Sequence, residues 1–479
     1  MKYIYLFIFI FHFSSSFSQF EVIIESEESP VTNNTSEPFK ILELQDGNLL
    51  ISQSNLPNCN IKLYKLNSDG EVLFTNTLDT NNFKSYMSNN DVQISPFQDE
   101  HILIMGQNKN YLNNPCFIEV DENFEIVENN VFMLPDQDSI ISARFESFIV
   151  NKQGNLVFKT RGYFEREILP NENYYMLYEI DIVTKDTIRT KTIPFCRSFN
   201  PVSDVMQIEN ENYYLFSSYL FSGDYITKLS EDLSIIDTIN LLYLVHEGYN
   251  FIAPNGVNLR AKSLTDSTFI VSFLMDRVNI STFSDDFCLG SAIIDTNFNT
   301  VEVAHIRDTA NNDVRNCMEK NLDFTDNNNI FQVGVTNVDN YYYTRVKGPN
   351  AVMVSIMDGE LNLKSQHFYG YDGISCYDAI DMIATQDGGC AVVSLRRIYE
   401  DPYDIYGGST LLSADLHLLK VNEYGTLTPV NNEKEVEISS MKLAYCYPNP
   451  AKDFFYVRYG AHLKNVSIEI IEKGKIIVE

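Results

Sequence analysis

A short motif, two β-type runs around a tight turn, recurs along most of this chain and limits its fold more than any other feature. In residues 39–54 (FKILELQDGNLLISQS) the runs flank Asp46-Gly47, a dipeptide suited to the positive φ angles of a short hairpin turn. The same form returns in 146–160 (ESFIVNKQGNLVFKT), 203–218, 261–273, 321–334 and 378–394, and more weakly in 92–106. The turn centres fall near 46, 99, 153, 210, 266, 327 and 387, at spacings of 53 to 61 residues. A second hairpin stands between each pair. It reads IKLYKLNSDGEVLFTNTL in 61–78, with Asp69-Gly70 at its turn, and recurs in 116–128, 175–188, 225–237, 291–303, 352–364 and 417–430.

Seven units of two hairpins over residues 39–430 predict an all-β chain with the plan of a seven-bladed β-propeller. One unit cannot bury both its faces, so neighbours have to stack, and a closed ring leaves only short edges. Helical periodicity is nearly absent. The 29 Tyr and 32 Phe favour strands. The run Phe20–Glu25 alternates well, whereas Thr426–Val430 makes a poor last strand. The expectation is that 20–25 completes the final blade and clasps the ring. Two stacked β domains with similar hairpins are the alternative.

The start of the chain reads as a secretory signal over residues 1–18. Lys2 supplies the positive charge, Ile4 to Phe13 the apolar run, and Ser16 and Ser18 the small residues before a cleavage point. That run is too short to span a bilayer as a helix, and no later stretch is apolar enough for one. The expected product is secreted or on the outer cell surface, without a transmembrane anchor. Its net charge of −30 repels phosphate backbones, which excludes nucleic-acid binding. Solubility accounts for the charge. A calcium-binding surface is a second reading, although no acidic run has the spacing of an ordered calcium loop, and no cofactor is expected. The eight Cys are widely spaced without a CxxC pair, so zinc and thioredoxin-like sites fail and no disulfide pairing can be chosen.

Residues 431–444 are polar and charged and read as a linker after the repeat domain of 19–430. Beyond it, Tyr447-Pro448-Asn449-Pro450, Ala451-Lys452-Asp453 and an alternating strand with Phe455 and Val457 open the segment 445–479. This resembles the start of the type A C-terminal sorting domain of the Bacteroidetes type IX secretion system, and 466–479 resembles its next hairpin. The resemblance covers roughly the last 35 residues of the chain. It implies the type IX machinery as a partner, with Tyr447, Pro448, Asn449 and Pro450 as the sorting motif. The family's domain continues through further strands where this sequence stops at Glu479, so the segment reads as partial.

Compact catalytic signatures are missing. There is no Gly-x-Ser-x-Gly elbow, no His-Glu-x-x-His helix and no phosphate loop. His101, His246, His305, His367, His417 and His462 stand apart from one another in the sequence. A Ser/His/Asp set assembled in space stays open. Topology gives a better clue. The hairpin turns point to one face of the ring, and the longer connections (161–173, 274–287, 335–350 and 395–415) point to the other. Long loops on a rigid face are the usual place for binding. Tyr163, Tyr342, Arg345, Arg396, Tyr399, Tyr403 and Tyr406 lie there, and a tyrosine offers a flat face and a hydroxyl at small entropic cost. The favoured reading is a non-enzymatic binder of an extracellular glycan or protein. A propeller hydrolase or lyase acting on polysaccharide or peptide is the second, and a structural surface component the third.

Overall fold

The computed structural model describes residues 19–24, 39–55, 60–78, 83–84, 92–97, 101–108, 115–132, 140–164, 172–194, 205–207, 212–219, 223–241, 245–246, 249–252, 260–276, 287–308, 313–317, 320–337, 348–403, 409–427, 444–447, 456–459, 470–472 and 475–478. It is a seven-bladed β-propeller, with no α-helix among the described residues. Blade one consists of Phe39–Glu43, Leu49–Asn55, Asn60–Leu66 and Val72–Leu78, running outward from the axis as an antiparallel meander. The next five blades fall within 83–131, 140–194, 205–240, 245–306 and 315–369. Blade seven takes three strands, Ser375–Ala384, Cys390–Tyr399 and Leu411–Val421, from the end of the repeat. Its outer strand, Phe20–Ile24, comes from the start of the chain, with Phe20 opposite Lys420 and Ile24 opposite Leu416. Residues 431–443 of the polar linker lie outside the described residues, and its last residue, Ala444, already begins a strand. The tail contributes two short hairpins, Ala444–Tyr447 with Tyr456–Tyr459 and Ile470–Glu472 with Lys475–Val478.

The hydrophobic core is a ring of seven inter-blade layers. Each apolar cluster joins residues from two neighbouring blades, and the seven together include every junction. The closing junction packs Phe39, Ile41 and Ile51 of blade one on Ile380, Val393 and Leu418 of blade seven. Alternation explains this, because odd residues of a strand serve one neighbour and even residues the other. Near the axis the innermost strands are laced together. Asp323 accepts the Ala384 N–H at 2.9 Å, and Asp381 accepts the Ile41 N–H at 3.1 Å. Both junctions therefore satisfy backbone donors that would otherwise lack partners near the channel.

One local device recurs on the turn face. The turn that follows the third strand of a blade begins with Asn67, Asp121, Asp181, Asp295, Asp358 or Asn422. The side-chain oxygen accepts two backbone N–H groups further along the turn at 2.8 to 3.0 Å. Late in the turn a residue takes positive φ: Phe124, Leu233, Phe298 and Leu361 at 59° to 66°, and Gly70 and Gly425 in their own blades. The four apolar side chains reach back onto the preceding blade, as where Phe124 stacks on Phe74 at 5.7 Å between centroids. A left-handed Phe or Leu is disfavoured by roughly 1–2 kcal/mol. Burying such a side chain returns about 1.5–3 kcal/mol, so the packing wins.

Candidate functional site

The blade six–seven corner of the long-loop face gathers the densest polar constellation among the sequence-selected residues. The strands here run further than the sequence suggests. Residues 395–415 read as a long connection between hairpins, yet Arg396–Tyr399 and Leu411–Asp415 are strand ends. Arg396 stands directly opposite Asp415, and Arg397 opposite Ala414. The ladder hydrogen bonds hold a rigid edge where a flexible loop is expected.

Arg396 is fixed on three sides. Its Nε donates to the Ser375 hydroxyl at 2.9 Å, and its terminal nitrogens meet Asp415 at 3.3 Å and Asp372 at 3.5 Å. Asp372 shapes the entry to blade seven by accepting the Ile374 and Ser375 N–H groups at 2.9 and 2.7 Å. Beside it, Asp378 pairs with both Arg315 and Arg397. Arg315 and Asp378 are almost wholly buried, and Arg396 and Arg397 keep a minor part of their side chains in solvent. Two groups of ion pairs thus form here, Arg396 with Asp372 and Asp415, and Asp378 with Arg315 and Arg397.

The tyrosines divide by exposure. Tyr399 is half-buried against the blade six–seven core, and burial raises its hydroxyl pKa above the usual value. Tyr371 is raised in the same way, first by burial and then by the neighbouring Tyr403 and Asp372. Tyr403 is 67% exposed. Its ring rests against Gly348, where a Cβ would stand 3.0 Å from Cδ1 and 3.3 Å from Cε1, so the bare glycine makes room for it while most of the side chain stays in solvent. The loop carrying Tyr403 is pinned by Asp401, whose N–H donates to Ser409 at 2.7 Å and whose carboxylate accepts the Tyr403 N–H at 2.9 Å.

Of the residues singled out by sequence, Arg396, Tyr399 and Tyr403 lie at this corner, each among different neighbours: Arg396 at Ser375, Asp372 and Asp415, Tyr399 on the blade six–seven core and Tyr403 against Gly348. Tyr163 sits on the blade-three strand Leu156–Phe164 opposite Ser142 and Asn173, apart from this corner. Tyr342, Arg345 and Tyr406 lie outside the described residues, as do Pro448, Asn449 and Pro450. Tyr447 ends the strand Ala444–Tyr447, opposite Tyr456. Sequence reasoning missed Arg315, Asp372, Asp378 and Asp415. Asp372 had a local signal, the Asp-x-x-Ser turn pattern, whereas the pairing of Arg315 with Asp378 spans 63 residues and had none.

Two other arrangements bear on chemistry. Ser394 Oγ is 2.7 Å from His417 Nδ1, and His417 Nε2 is 3.1 Å from Glu21 Oε1. This has the order of a serine hydrolase relay. Ser394 and His417 are fully buried cross-strand partners under the Tyr377 ring, however, so no substrate reaches the hydroxyl. The described thiols are buried and free, at Cys116, Cys288, Cys317, Cys376 and Cys390. Burial pushes Cys376 up to about 12 and raises Cys116 still further, which leaves neither as a thiolate nucleophile. Among the described residues no cluster of three His, Cys, Asp or Glu could hold a metal ion, and no helix is long and apolar enough to cross a membrane.

No protein-family model matches the chain, and no curated protein matches it. Solved structures do. A Burkholderia pseudomallei lectin, BP39L, is similar at 9% identity and a TM-score of 0.50, with 82% of this chain and 97% of that one covered. The polysaccharide lyase Uly1 is similar at 8% identity and a TM-score of 0.46, covering 81% and 91%. An α-L-arabinofuranosidase of Fusarium graminearum, Arb93A, is similar at 9% identity and a TM-score of 0.38, covering 84% and 97%. At these identities the likeness is one of fold.

Proposed function

We propose that this protein is a secreted binding propeller that takes an extracellular glycan at the blade six–seven corner. The observation that carries the reading is the exposed Tyr403 ring, backed by Gly348, near arginine–aspartate pairs fixed at the same corner. A sugar presents an apolar ring face with hydroxyls at its edge. A fixed aromatic surface next to oriented donors and acceptors matches both. The arginines and their aspartates neutralise one another and Asp401 adds a negative charge, which disfavours an anionic ligand and favours a neutral sugar. The overall charge of −30 disfavours a polyanionic one. Catalysis of glycosidic cleavage needs one carboxyl group that holds a proton and another free to act. At this corner Asp372, Asp378 and Asp415 are all engaged by guanidinium groups, and binding is the chemistry they support.

The test is titration calorimetry against a panel of neutral oligosaccharides with wild type and Tyr403→Ala. Loss of one stacking face should weaken binding about ten-fold, equivalent to about 1.4 kcal/mol. The melting temperature should stay unchanged, because the ring is exposed. Failure of every neutral glycan to bind, or equal binding by the variant, would overturn the reading.

The same proposal includes export. Cleavage after Ser18 would leave Gln19, which is buried, as the first residue, and the clasp strand would follow at once. Amino-terminal sequencing of the protein from culture medium tests this. Deleting 445–479 and finding undiminished export would remove the sorting role of that segment.

A further inference from the structure

The turn face, opposite the glycan corner, carries a cleft where blades one and two meet and Gln386 of blade seven reaches in. Its volume is ≈ 200 Å³. That is below the roughly 300–1,000 Å³ of pockets for whole small molecules, and it suits one side chain. Its lining includes the apolar side chains of Leu42, Leu44 and Phe97, half-buried, and Phe124, which is buried. Its rim is acidic, with Glu43, Asp46 and Glu122 against the single cation Lys65. His101 closes one side and is held by Glu119 at 2.5 Å.

The charges do not cancel. Lys65 is taken by Asp46 at 2.9 Å. Glu122 has no ion-pair partner among the described residues, and Glu43 is met by the Gln386 N–H at 2.7 Å. Burial leaves the Glu43 carboxyl raised above its usual range, because one N–H and the nearby Lys420 do not replace the water it has lost. Two carboxylates beside an apolar lining want a cation on an apolar stem. A lysine or arginine side chain has that form, with methylenes below and charge above.

We propose that this cleft captures a basic side chain of a peptide partner, flanked by apolar residues that rest on Leu44 and Phe97. The net charge of −30 attracts such a partner over distance. The site is separate from the glycan corner, and neither depends on the other.

The probe is a fluorescein-labelled peptide with one lysine between two leucines, followed by anisotropy with the whole mature protein. Wild type should bind it, and Glu122→Gln should weaken it about ten-fold through loss of a charge-assisted contact. Glu122→Lys should abolish it. The matching peptide with glutamate for lysine should not bind. Glu122 is an exposed turn residue, so circular dichroism should show both variants folded. The proposal is overturned if the lysine peptide does not bind at millimolar concentration, if Glu122→Gln binds it unchanged, or if the glutamate peptide binds equally well. Glycan titration of Glu122→Gln should match wild type, which keeps the two sites distinguishable.

Discussion

Phe20 occupies the space that a side chain at Gly70 would need: a Cβ there would stand 2.6 Å from Phe20 Cδ2. In blades two, four, five and six the equivalent turn residue is Phe124, Leu233, Phe298 or Leu361, and its side chain packs onto the preceding blade. Blade one supplies no such side chain. The clasp strand provides Phe20 instead, and the ring closes through it.

Phe20→Ala should therefore cost about 3–5 kcal/mol, as for other buried aromatic truncations. Gly70→Ala should also destabilise, through its φ of 82° and the collision with Phe20. The informative variant is the double change Phe20→Ala with Gly70→Phe, which restores the arrangement of the other blades. Urea denaturation should show it to be more stable than Phe20→Ala alone. A strictly additive loss would mean that the two residues do not share one space.

How much of this was legible beforehand follows from the range of each interaction. Turn chemistry is local, so Asp46-Gly47, Asp69-Gly70 and their counterparts marked the repeat, although the turn at Gly425 closes no hairpin, because Phe20–Ile24 pairs with Leu411–Val421. The alternation in 20–25 marked a strand. The role of Phe20 was hidden, since Gly70 reads only as a turn glycine. At the candidate site the tyrosines stood out by composition, and Arg396, Tyr399 and Tyr403 lie along the same stretch of blade seven. The aspartates that hold the arginines were lost among 65 acidic residues. Asp378 and Arg315 meet only because blade six stacks on blade seven, a contact no local pattern encodes.

Leu233→Gly sets two effects against each other. Glycine would remove the penalty for a φ of 63°, a gain of roughly 1–2 kcal/mol. It would also empty a fully buried leucine site in the blade three–four core, a loss of about 2–5 kcal/mol. Net destabilisation is expected, measured by chemical denaturation. A more stable variant would show that strain, rather than burial, dominates these turns.

Lys420 and Asp387 form an ion pair at 2.6 Å with both side chains almost wholly buried. Burial alone would raise the Asp387 carboxyl, but the Lys420 ammonium, the Thr385 hydroxyl and the Gly389 N–H outweigh it and hold it below its usual value. Asp323 is lowered likewise, against its own burial, by Lys320 and Lys262. Carboxyls lowered in the folded state add stability that is complete above the unfolded value of about 3.9 and drains as pH falls through the folded value. Melting temperature should thus drop steeply below about pH 4, and Asp323→Asn should flatten that slope. Lys420→Met should cost about 3–5 kcal/mol at neutral pH by stranding Asp387. If Lys420→Met keeps the wild-type midpoint, the pair carries no such weight.

The Ser394–His417–Glu21 chain yields the sharpest contrast between a catalytic and a structural account. A nucleophilic serine would be labelled by a fluorophosphonate in the native protein, and Ser394→Ala would leave stability nearly intact. Burial of Ser394 and His417 predicts the reverse. Native protein should resist the reagent, and Ser394→Ala should lose about 1–3 kcal/mol because His417 Nδ1 is left without its partner inside the core. Glu21 lies on the clasp strand, so this chain also ties the outer strand of blade seven to the inner layers. Glu21→Gln, which retains a hydrogen-bonding group toward His417 Nε2, should be milder than Ser394→Ala. Labelling at Ser394 in the folded protein, confirmed by mass spectrometry, would restore the hydrolase reading and move the active centre into blade seven.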